Sequence, residues 1–247
     1  MLILLPPSEG KFSPAEGAPV ALEALAFAPE LGARRERLLD ALERLGTVAT
    51  ARALKQLDIS KGQVGEIAVD AVLRSAPAAP ASQIYTGVLY DHLRLAEQPT
   101  GARRRVLIAS ALWGVLRPED RIPYYRFSAK ARLARIGALS TYWRDALAKA
   151  MPDEEGELVI DMRSAAYAAA WKPKRATLLA VRAFSEGDGG GRKPVSHMAK
   201  AVRGDVARAL LLAKKPPADP EAAATIARDA GFAVELNPTS LDIVVPA

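Results

Sequence analysis

The sequence predicts an α/β (α+β) fold, a single compact domain over residues 1–247 that is built on a mixed sheet. Short apolar runs, which are typical of buried strands, occur at residues 1–5, 106–111 and 158–161. Between these runs, apolar residues recur at the spacing of amphipathic helices. Strands that alternate with helices are the pattern of an α/β domain. No internal repeat or domain boundary interrupts this pattern.

The N-terminal third is predicted to be mainly helical. Its first strand, residues 1–5, is stopped by Pro6 and Pro7 and leads into a loop that carries Lys11. The Pro- and Ala-rich segment 77–80 is interpreted as a linker to the next element. Helical periodicity covers three segments before this linker, at residues 33–44, 51–57 and 61–73.

The rest of the chain is predicted to continue the alternation of strands and helices. After the strand at 158–161, Ser164 is expected to begin a short helix. Segments 176–184 and 193–195 are predicted to form a hairpin with a flexible, glycine-rich tip at 186–191. A helix is expected at 143–151, and a long helix is expected from about residue 197. A further helix that ends at residue 230 and a C-terminal strand complete the prediction.

Residues 110–126 concentrate polar and aromatic side chains in one stretch. Pro118 and Pro123 fix φ and disfavour helical geometry in the preceding residues, which predicts a rigid loop. Rigid polar loops often carry function, although an ordinary turn with a solvated charge pair is the alternative. The side chains expected to be presented by this loop are Trp113, Arg117, Asp120, Tyr124 and Arg126.

The composition excludes several kinds of chemistry. The chain has no cysteine and two histidines. Disulfides, thiolate metal sites, iron–sulfur ligation and a cysteine nucleophile are therefore excluded, as is a multi-histidine metal centre. The sequence indicates no metal site and no cofactor.

Charge and hydropathy bear on partners and location. The net charge of +6 and a pI near 9.6 favour a polyanionic partner, although an Arg- and Ala-rich composition also produces such values. No apolar stretch approaches the roughly 20 residues that a membrane span needs. The apolar run at 1–5 is too short for a signal peptide. We therefore expect a cytoplasmic protein without a membrane partner.

The helix that starts near His197 has one strongly basic face. Apolar residues from Met198 to Ala213 share one side, and Asp205 is the one acidic residue near the other. A phosphate chain fits such a one-signed face, and a solvated surface is the alternative. Gly204 is interpreted as a place where a ligand backbone approaches closely. The cations on this face are Lys200, Arg203 and Arg208.

Three residues are candidates for catalysis: Lys11, Asp161 and Tyr167. Lys11 follows a strand and a glycine, but the P-loop pattern of a nucleotide triphosphatase is absent. It could bind phosphate, form a Schiff base, or pair with Asp161. Asp161, Ser164 and Tyr167 occupy a junction between a strand and a helix, which binds anions readily but also occurs in purely structural turns.

Several motifs together resemble the peroxide stress protein YaaA family. They are Met-Leu-Ile-Leu-Leu-Pro-Pro-Ser-Glu-Gly-Lys at 1–11, Tyr-Thr-Gly at 85–87, Leu-Trp-Gly-Val-Leu-Arg-Pro-Glu-Asp at 112–120, Tyr-Trp at 142–143, Val-Ile-Asp at 159–161, and Ala199-Lys200-x-x-Arg203-Gly204. The resemblance implies a cytosolic protein that limits oxidative damage and lowers free iron. It also implies DNA binding and an unusual α/β fold with a helix-hairpin-helix element and a positively charged cleft.

The resemblance also places residues in that cleft. Residues 52–72 could form the helix-hairpin-helix, although Gly62 and Gly65 are one residue further apart than its usual Gly-x-Gly. The first loop also differs from the Ser-Pro-Ala-Lys of familiar members, with Glu9 as an addition and the lysine retained. The positions carried over as lining the cleft are Lys11, Tyr85, Arg117, Tyr124, Arg126, Ser164, Tyr167, Lys200 and Arg203.

Two functions remain open on this basis. In the first, the chain binds duplex or junction DNA with weak sequence preference, and Trp113 and Tyr124 meet the bases. In the second, it is an enzyme on a nucleotide or nucleobase, with Lys11 and Asp161 as acid–base or covalent groups and Arg117 beside Arg126 as an anion clamp. Direct iron sequestration ranks last, because no ligand cluster is evident.

Overall fold

The computed structural model describes residues 1–186, 192–194 and 198–245. Within these residues the chain forms ten strands and ten α-helices. The strands are β1 (Leu2–Leu5), β2 (Ala78–Pro80), β3 (Val106–Ser110), β4 (Gly114–Leu116), β5 (Arg121–Pro123), β6 (Leu158–Asp161), β7 (Thr177–Glu186), β8 (Arg192–Pro194), β9 (Ala233–Asn237) and β10 (Ser240–Val245).

Helices connect most of these strands. They are α1 (Ala28–Leu45), α2 (Thr50–Leu57), α3 (Gly65–Ala71), α4 (Ala81–Ile84), α5 (Val88–Leu93), α6 (Thr100–Arg103), α7 (Leu139–Ala150), α8 (Ala165–Ala168), α9 (Met198–Leu212) and α10 (Pro220–Asp229). Short 3₁₀ turns occur at Leu22–Ala24, Lys61–Gln63 and Leu95–Glu97. In the part of the chain that is described, none of the helices is long and apolar enough to cross a lipid bilayer.

The main sheet is mixed, as the sequence predicts. Its strand order is β4-β3-β1-β6-β7-β10-β9, and β8 also pairs with β7. The five strands from β3 to β10 along this path run parallel, whereas β4, β9 and β8 pair antiparallel with their neighbours. Strands β2 and β5 form a separate antiparallel pair. The first strand is therefore central: Ile3 pairs with both Val106 and Ile160.

The burial of β1 explains its composition. All four of its residues are buried, because both neighbours are strands and helices cover the faces of the sheet. A parallel strand that is buried on both faces is apolar throughout rather than alternating, which is the pattern of residues 1–5. Strands β3 and β6 are apolar up to their last residues, Ser110 and Asp161, and the predicted strands at these positions are confirmed.

Two expectations about loops are wrong. Segment 77–80 is not a linker, because it forms β2, which pairs with β5. Segment 110–126 is not one loop, since β3 turns at Gly114 into β4 and the chain then enters β5. Gly114 has a φ of +76°, and a Cβ at this position would lie 3.0 Å from the Trp143 ring, so the turn is tight and faces the core. Trp113 and Asp120 are consequently buried rather than presented.

Some predictions are not tested by the described part of the fold. The segment 52–72 contains α2, a 3₁₀ turn and α3, and the helix-hairpin-helix stays a prediction. Strands β7 and β8 form the antiparallel pair expected of the hairpin. Its predicted tip, apart from Glu186 at the end of β7, and His197 at the start of the basic helix lie outside the described residues.

Candidate functional site

A cleft of about 550 Å³ opens beyond the carboxyl ends of β1 and β6. The loop after β1, residues 6–11, forms one wall, and Ser164 and Tyr167 after β6 lie on another. The carboxyl ends of neighbouring parallel strands meet at one edge of a sheet. Strand β1 lies between β3 and β6, and the chain connects to β3 on one side and later returns to β6 on the other. This reversal makes the edge a topological switch point, which is the usual place for a ligand in such sheets.

The cleft carries an excess of positive charge. Its lining includes five cationic side chains, of Lys11, Arg126, Lys130, Lys200 and Arg203, against two carboxylates, of Glu9 and Asp58. A concave surface with such an excess of one sign of charge focuses the electrostatic field and attracts anions. A volume in this range accommodates a ligand of about nucleotide size.

The structure brings together six of the residues expected in the cleft. These are Lys11, Arg126, Ser164, Tyr167, Lys200 and Arg203. They come from four distant parts of the chain, which only the fold unites. The other expected residues, Tyr85, Arg117, Tyr124, Asp161 and Arg208, do not line the cleft.

Lys11 lies in the floor of the cleft between aromatic rings. Its Nζ donates a hydrogen bond to the Ser8 carbonyl over 2.7 Å and lies 4.5 Å from the centroid of the Tyr125 ring. Its backbone forms a β-bridge with Tyr85, whose ring centroid is 5.8 Å from Nζ. Burial lowers the pKa of Lys11 to about 8, and the charge of Arg126 acts in the same direction.

A chain of hydroxyl groups fixes the rings behind Lys11. The Tyr85 and Tyr125 hydroxyls are 2.8 Å apart, and the Tyr125 hydroxyl is 2.9 Å from Ser110 Oγ. Ser110 Oγ in turn accepts a hydrogen bond from the backbone N–H of Trp113. Burial raises the pKa of both phenols above the ordinary value, so both hold their protons at neutral pH. Lys11 therefore stands against a rigid wall rather than a mobile surface.

Asp70 is a second buried ionisable group close to Lys11, and the sequence analysis missed it. Its Oδ1 accepts a hydrogen bond from the backbone N–H of Arg126 over 2.8 Å. Its Oδ2 is buried and has no hydrogen-bond partner in the described part of the chain. Burial raises the pKa of Asp70 to about 7, and the charge of Glu66 raises it further. The available clue was its spacing, since Glu66 and Asp70 are four residues apart on one face of α3.

Arg126 lines the cleft and contacts Glu9. Its Nη1 donates to the Glu9 carbonyl over 3.3 Å, and its Nη2 is 3.8 Å from the Glu9 carboxylate. Glu9 is 84% exposed, so this ion pair is weak and solvent-screened. A phosphate in the cleft would compete with it on favourable terms.

Helix α9 carries the two other cations expected in the cleft. Lys200 is exposed, whereas Arg203 is half-buried and donates from Nε to the Val181 carbonyl over 3.0 Å. The role expected for Gly204 is wrong in one respect. A backbone does approach it closely, but that backbone belongs to α5, at Leu89 and Leu93.

Asp161 and Arg117 have other partners. Asp161 forms a buried, two-point ion pair with Arg163, with distances of 2.8 and 2.9 Å, so it is not the partner of Lys11. The backbone N–H of Arg117 donates to the Asp120 carboxylate, and its guanidinium lies 5.7 Å from the Phe27 ring. The Tyr124 hydroxyl donates to Glu66 over 3.0 Å.

No group of three or more histidine or acidic side chains converges on a metal-sized site within residues 1–186, 192–194 and 198–245. The cleft lining itself presents cations, among them Lys11, and the tyrosines Tyr90 and Tyr167, whereas Asp70 does not line it.

Comparison with known proteins agrees with the resemblance seen in the sequence. A family model described as peroxide stress protein YaaA matches residues 1–236. A UPF0246 protein of Streptomyces coelicolor is 42% identical and aligns over 99% of this chain and 98% of its own length. A UPF0246 protein of Corynebacterium glutamicum is 39% identical over 96% of each chain. An uncharacterized protein of Campylobacter jejuni is 28% identical over 83% of this chain and 82% of its own.

The fold and the cleft thus define a mixed α/β protein with an excess of cationic side chains at the carboxyl edge of its sheet. The chain belongs to the peroxide stress protein YaaA family.

Proposed function

We propose that this chain is a cytoplasmic peroxide-stress protein that binds DNA through its basic cleft and so limits oxidative, iron-linked damage. The observation that carries the proposal is the convergence of five cations on one cleft with two carboxylates. Neutralising phosphates with lysine and arginine releases counterions, which is the main source of affinity for DNA. In this proposal the link to iron is indirect, because the protein shields DNA rather than holding the metal.

The shape of the cleft restricts how DNA would bind. A volume of about 550 Å³ admits about one nucleotide, so a duplex would lie across the rim and place phosphates against Lys130 and Lys200, both of which are exposed. Trp113 is fully buried and is not available for stacking on bases. Contacts to phosphates carry no sequence information, so we expect little base preference and a strong dependence on salt.

Fluorescence anisotropy tests this proposal with duplex, single-stranded and four-way-junction DNA across a salt series. The double variant Lys130→Glu/Lys200→Glu should abolish binding at moderate salt, because both ammonium groups are exposed in the cleft. A matched control is Lys214→Glu/Lys215→Glu, which makes the same charge change just beyond α9 and outside the cleft. Equal weakening by the two pairs, or binding that does not change with salt, would contradict a DNA site in the cleft.

An enzyme acting on a nucleotide or nucleobase is the second candidate. The environment of Lys11 favours it, because a simple phosphate-binding ammonium gains nothing from a buried, aromatic setting that favours its neutral form. Lys11→Ala distinguishes the two functions. Under DNA binding alone it removes about one phosphate contact, whereas an enzymatic reaction would be lost entirely.

A further inference from the structure

We propose that Lys11 forms an imine with the aldehyde of a base-free sugar in DNA. This inference rests on the proposed function, because it requires that the cleft hold a DNA backbone. It assigns a substrate class and a chemical step to a residue that is otherwise unexplained.

The position of the Lys11 amine suits a nucleophile. Nζ lies in the floor of the cleft, beside the face of the Tyr125 ring, and its hydrogen bond goes to one carbonyl oxygen. In the part of the chain that is described, no carboxylate forms an ion pair with it within 4.0 Å. An amine with a pKa of about 8 is neutral at pH 7 about 300 times as often as one at 10.5, and the neutral amine is the reactive form.

The step balances without an oxidant or reductant. The lone pair of the Lys11 nitrogen attacks the aldehyde carbon, a C–N bond forms as the C=O π bond opens, and one N–H proton passes to the oxygen through water. The C–O bond then breaks as the C=N bond forms, and the hydroxyl group leaves with the second N–H proton as water. The products are one imine and one water molecule.

The chemistry of the cleft identifies the substrate class. Intact DNA offers no aldehyde, so a neutral amine has no partner on it. A sugar that has lost its base opens to an aldehyde between two phosphates, and it is small enough for a cleft of about 550 Å³. Its phosphates would meet Arg126 and Lys200 at the rim while the aldehyde reaches Lys11 at the floor.

Reductive trapping tests the inference on the full-length protein. The protein is mixed with a duplex that contains one aldehyde-bearing base-free site and with sodium cyanoborohydride, and the adduct is mapped by peptide mass spectrometry. Parallel arms use a duplex with a tetrahydrofuran site, which lacks the aldehyde, and free ribose 5-phosphate. We expect one adduct, on Lys11, with the aldehyde duplex and none with the tetrahydrofuran duplex, while anisotropy shows binding to both.

Variants add a second readout. Lys11→Arg keeps the charge but cannot form the imine, so its trapping should be lost, and circular dichroism checks its fold. Lys214→Arg is the matched control, and its trapping should equal that of the unmodified protein.

The outcomes separate this inference from the proposed function. Binding to the tetrahydrofuran duplex without an adduct on Lys11, or with adducts spread over other lysines, overturns the imine and leaves DNA binding intact. An adduct on Lys11 with ribose 5-phosphate, without binding to any duplex, overturns DNA binding and assigns the amine to small sugar phosphates. Neither adduct nor binding overturns both.

Discussion

Gly204 in α9 and Leu89 in α5 are in such close contact that a Cβ atom at position 204 would overlap the Leu89 carbonyl oxygen. The same atom would lie 2.7 Å from the Cβ of His92. Because both obstacles belong to or adjoin the backbone, no side-chain rotation relieves them. Glycine at this position therefore sets the distance between α9, which carries Lys200 and Arg203, and the helix beneath it.

Gly204→Ala should destabilise the protein by about 1–3 kcal/mol, because the added methyl group forces α5 and α9 apart. Urea denaturation measures the change. Gly32→Ala in α1 is the matched control, since a Cβ there meets nothing within 4 Å. It should stabilise the protein by about 0.5–1 kcal/mol through helix propensity. A destabilisation shared by both variants would refute the close contact as its cause.

Asp70→Asn should stabilise the protein in a pH-dependent manner. The pKa of Asp70 is about 7 in the folded protein against an ordinary value of 3.8, so the folded state holds this proton more tightly than the unfolded state. Between these values, a rise in pH therefore costs stability, and above pH 7 the full cost applies. Removing the charge should gain roughly 2–4 kcal/mol at pH 8 and little near pH 4. Denaturation curves at the two pH values test this, and an equal effect at both contradicts it.

Arg35→Met should destabilise the protein by about 3–5 kcal/mol. The Arg35 guanidinium is fully buried and donates to the carbonyls of Ala26, Trp113 and Val115 over 2.8 to 3.0 Å. Its loss leaves three carbonyl oxygens without this donor. For a protein of this size the melting temperature should fall by about 6–20 °C. Arg37→Met, on the exposed side of the same helix, should change stability by no more than about 0.5 kcal/mol.

Asp161→Ala should cost about 3–5 kcal/mol, because it leaves the buried Arg163 guanidinium without its carboxylate. Replacing both residues, as Asp161→Ala/Arg163→Met, should recover most of that loss, since no unpaired charge then remains. A double-mutant cycle by thermal denaturation measures the coupling. If the two losses simply add, the ion pair does not explain the burial of Asp161.

Local sequence patterns predicted where the strands lie, but they did not predict which polar residues are buried. The apolar runs that became β1, β3 and β6 were visible because strands buried on both faces must be apolar throughout. Arg35 gave no such indication, since an arginine in an amphipathic helix is ordinarily solvated. Its burial depends on the carbonyl groups left free where β3 turns into β4, which lie about 80 residues away.

The candidate site was predicted only in part, because local patterns indicate some of its residues and long-range contacts determine the others. Lys11, Lys200 and Arg203 were recognisable from their position after a strand or on a one-signed helix face, and the fold places them in one cleft. Asp70 was missed, because an aspartate on a short helix is normally exposed, although its spacing from Glu66 was the available clue. Its burial results from the packing of α3 against α1 and from the Arg126 backbone, both of which are long-range contacts.

The central position of β1 has a consequence for biosynthesis. Ile3 cannot complete its pairing until Ile160 has been made, about 150 residues later. At typical rates of translation this takes roughly 8–30 s, during which the apolar β1 segment has no partner strand on that side. A ribosome that stalls before residue 158 therefore leaves a chain without β6, Ser164 and Tyr167, and so without one wall of the cleft.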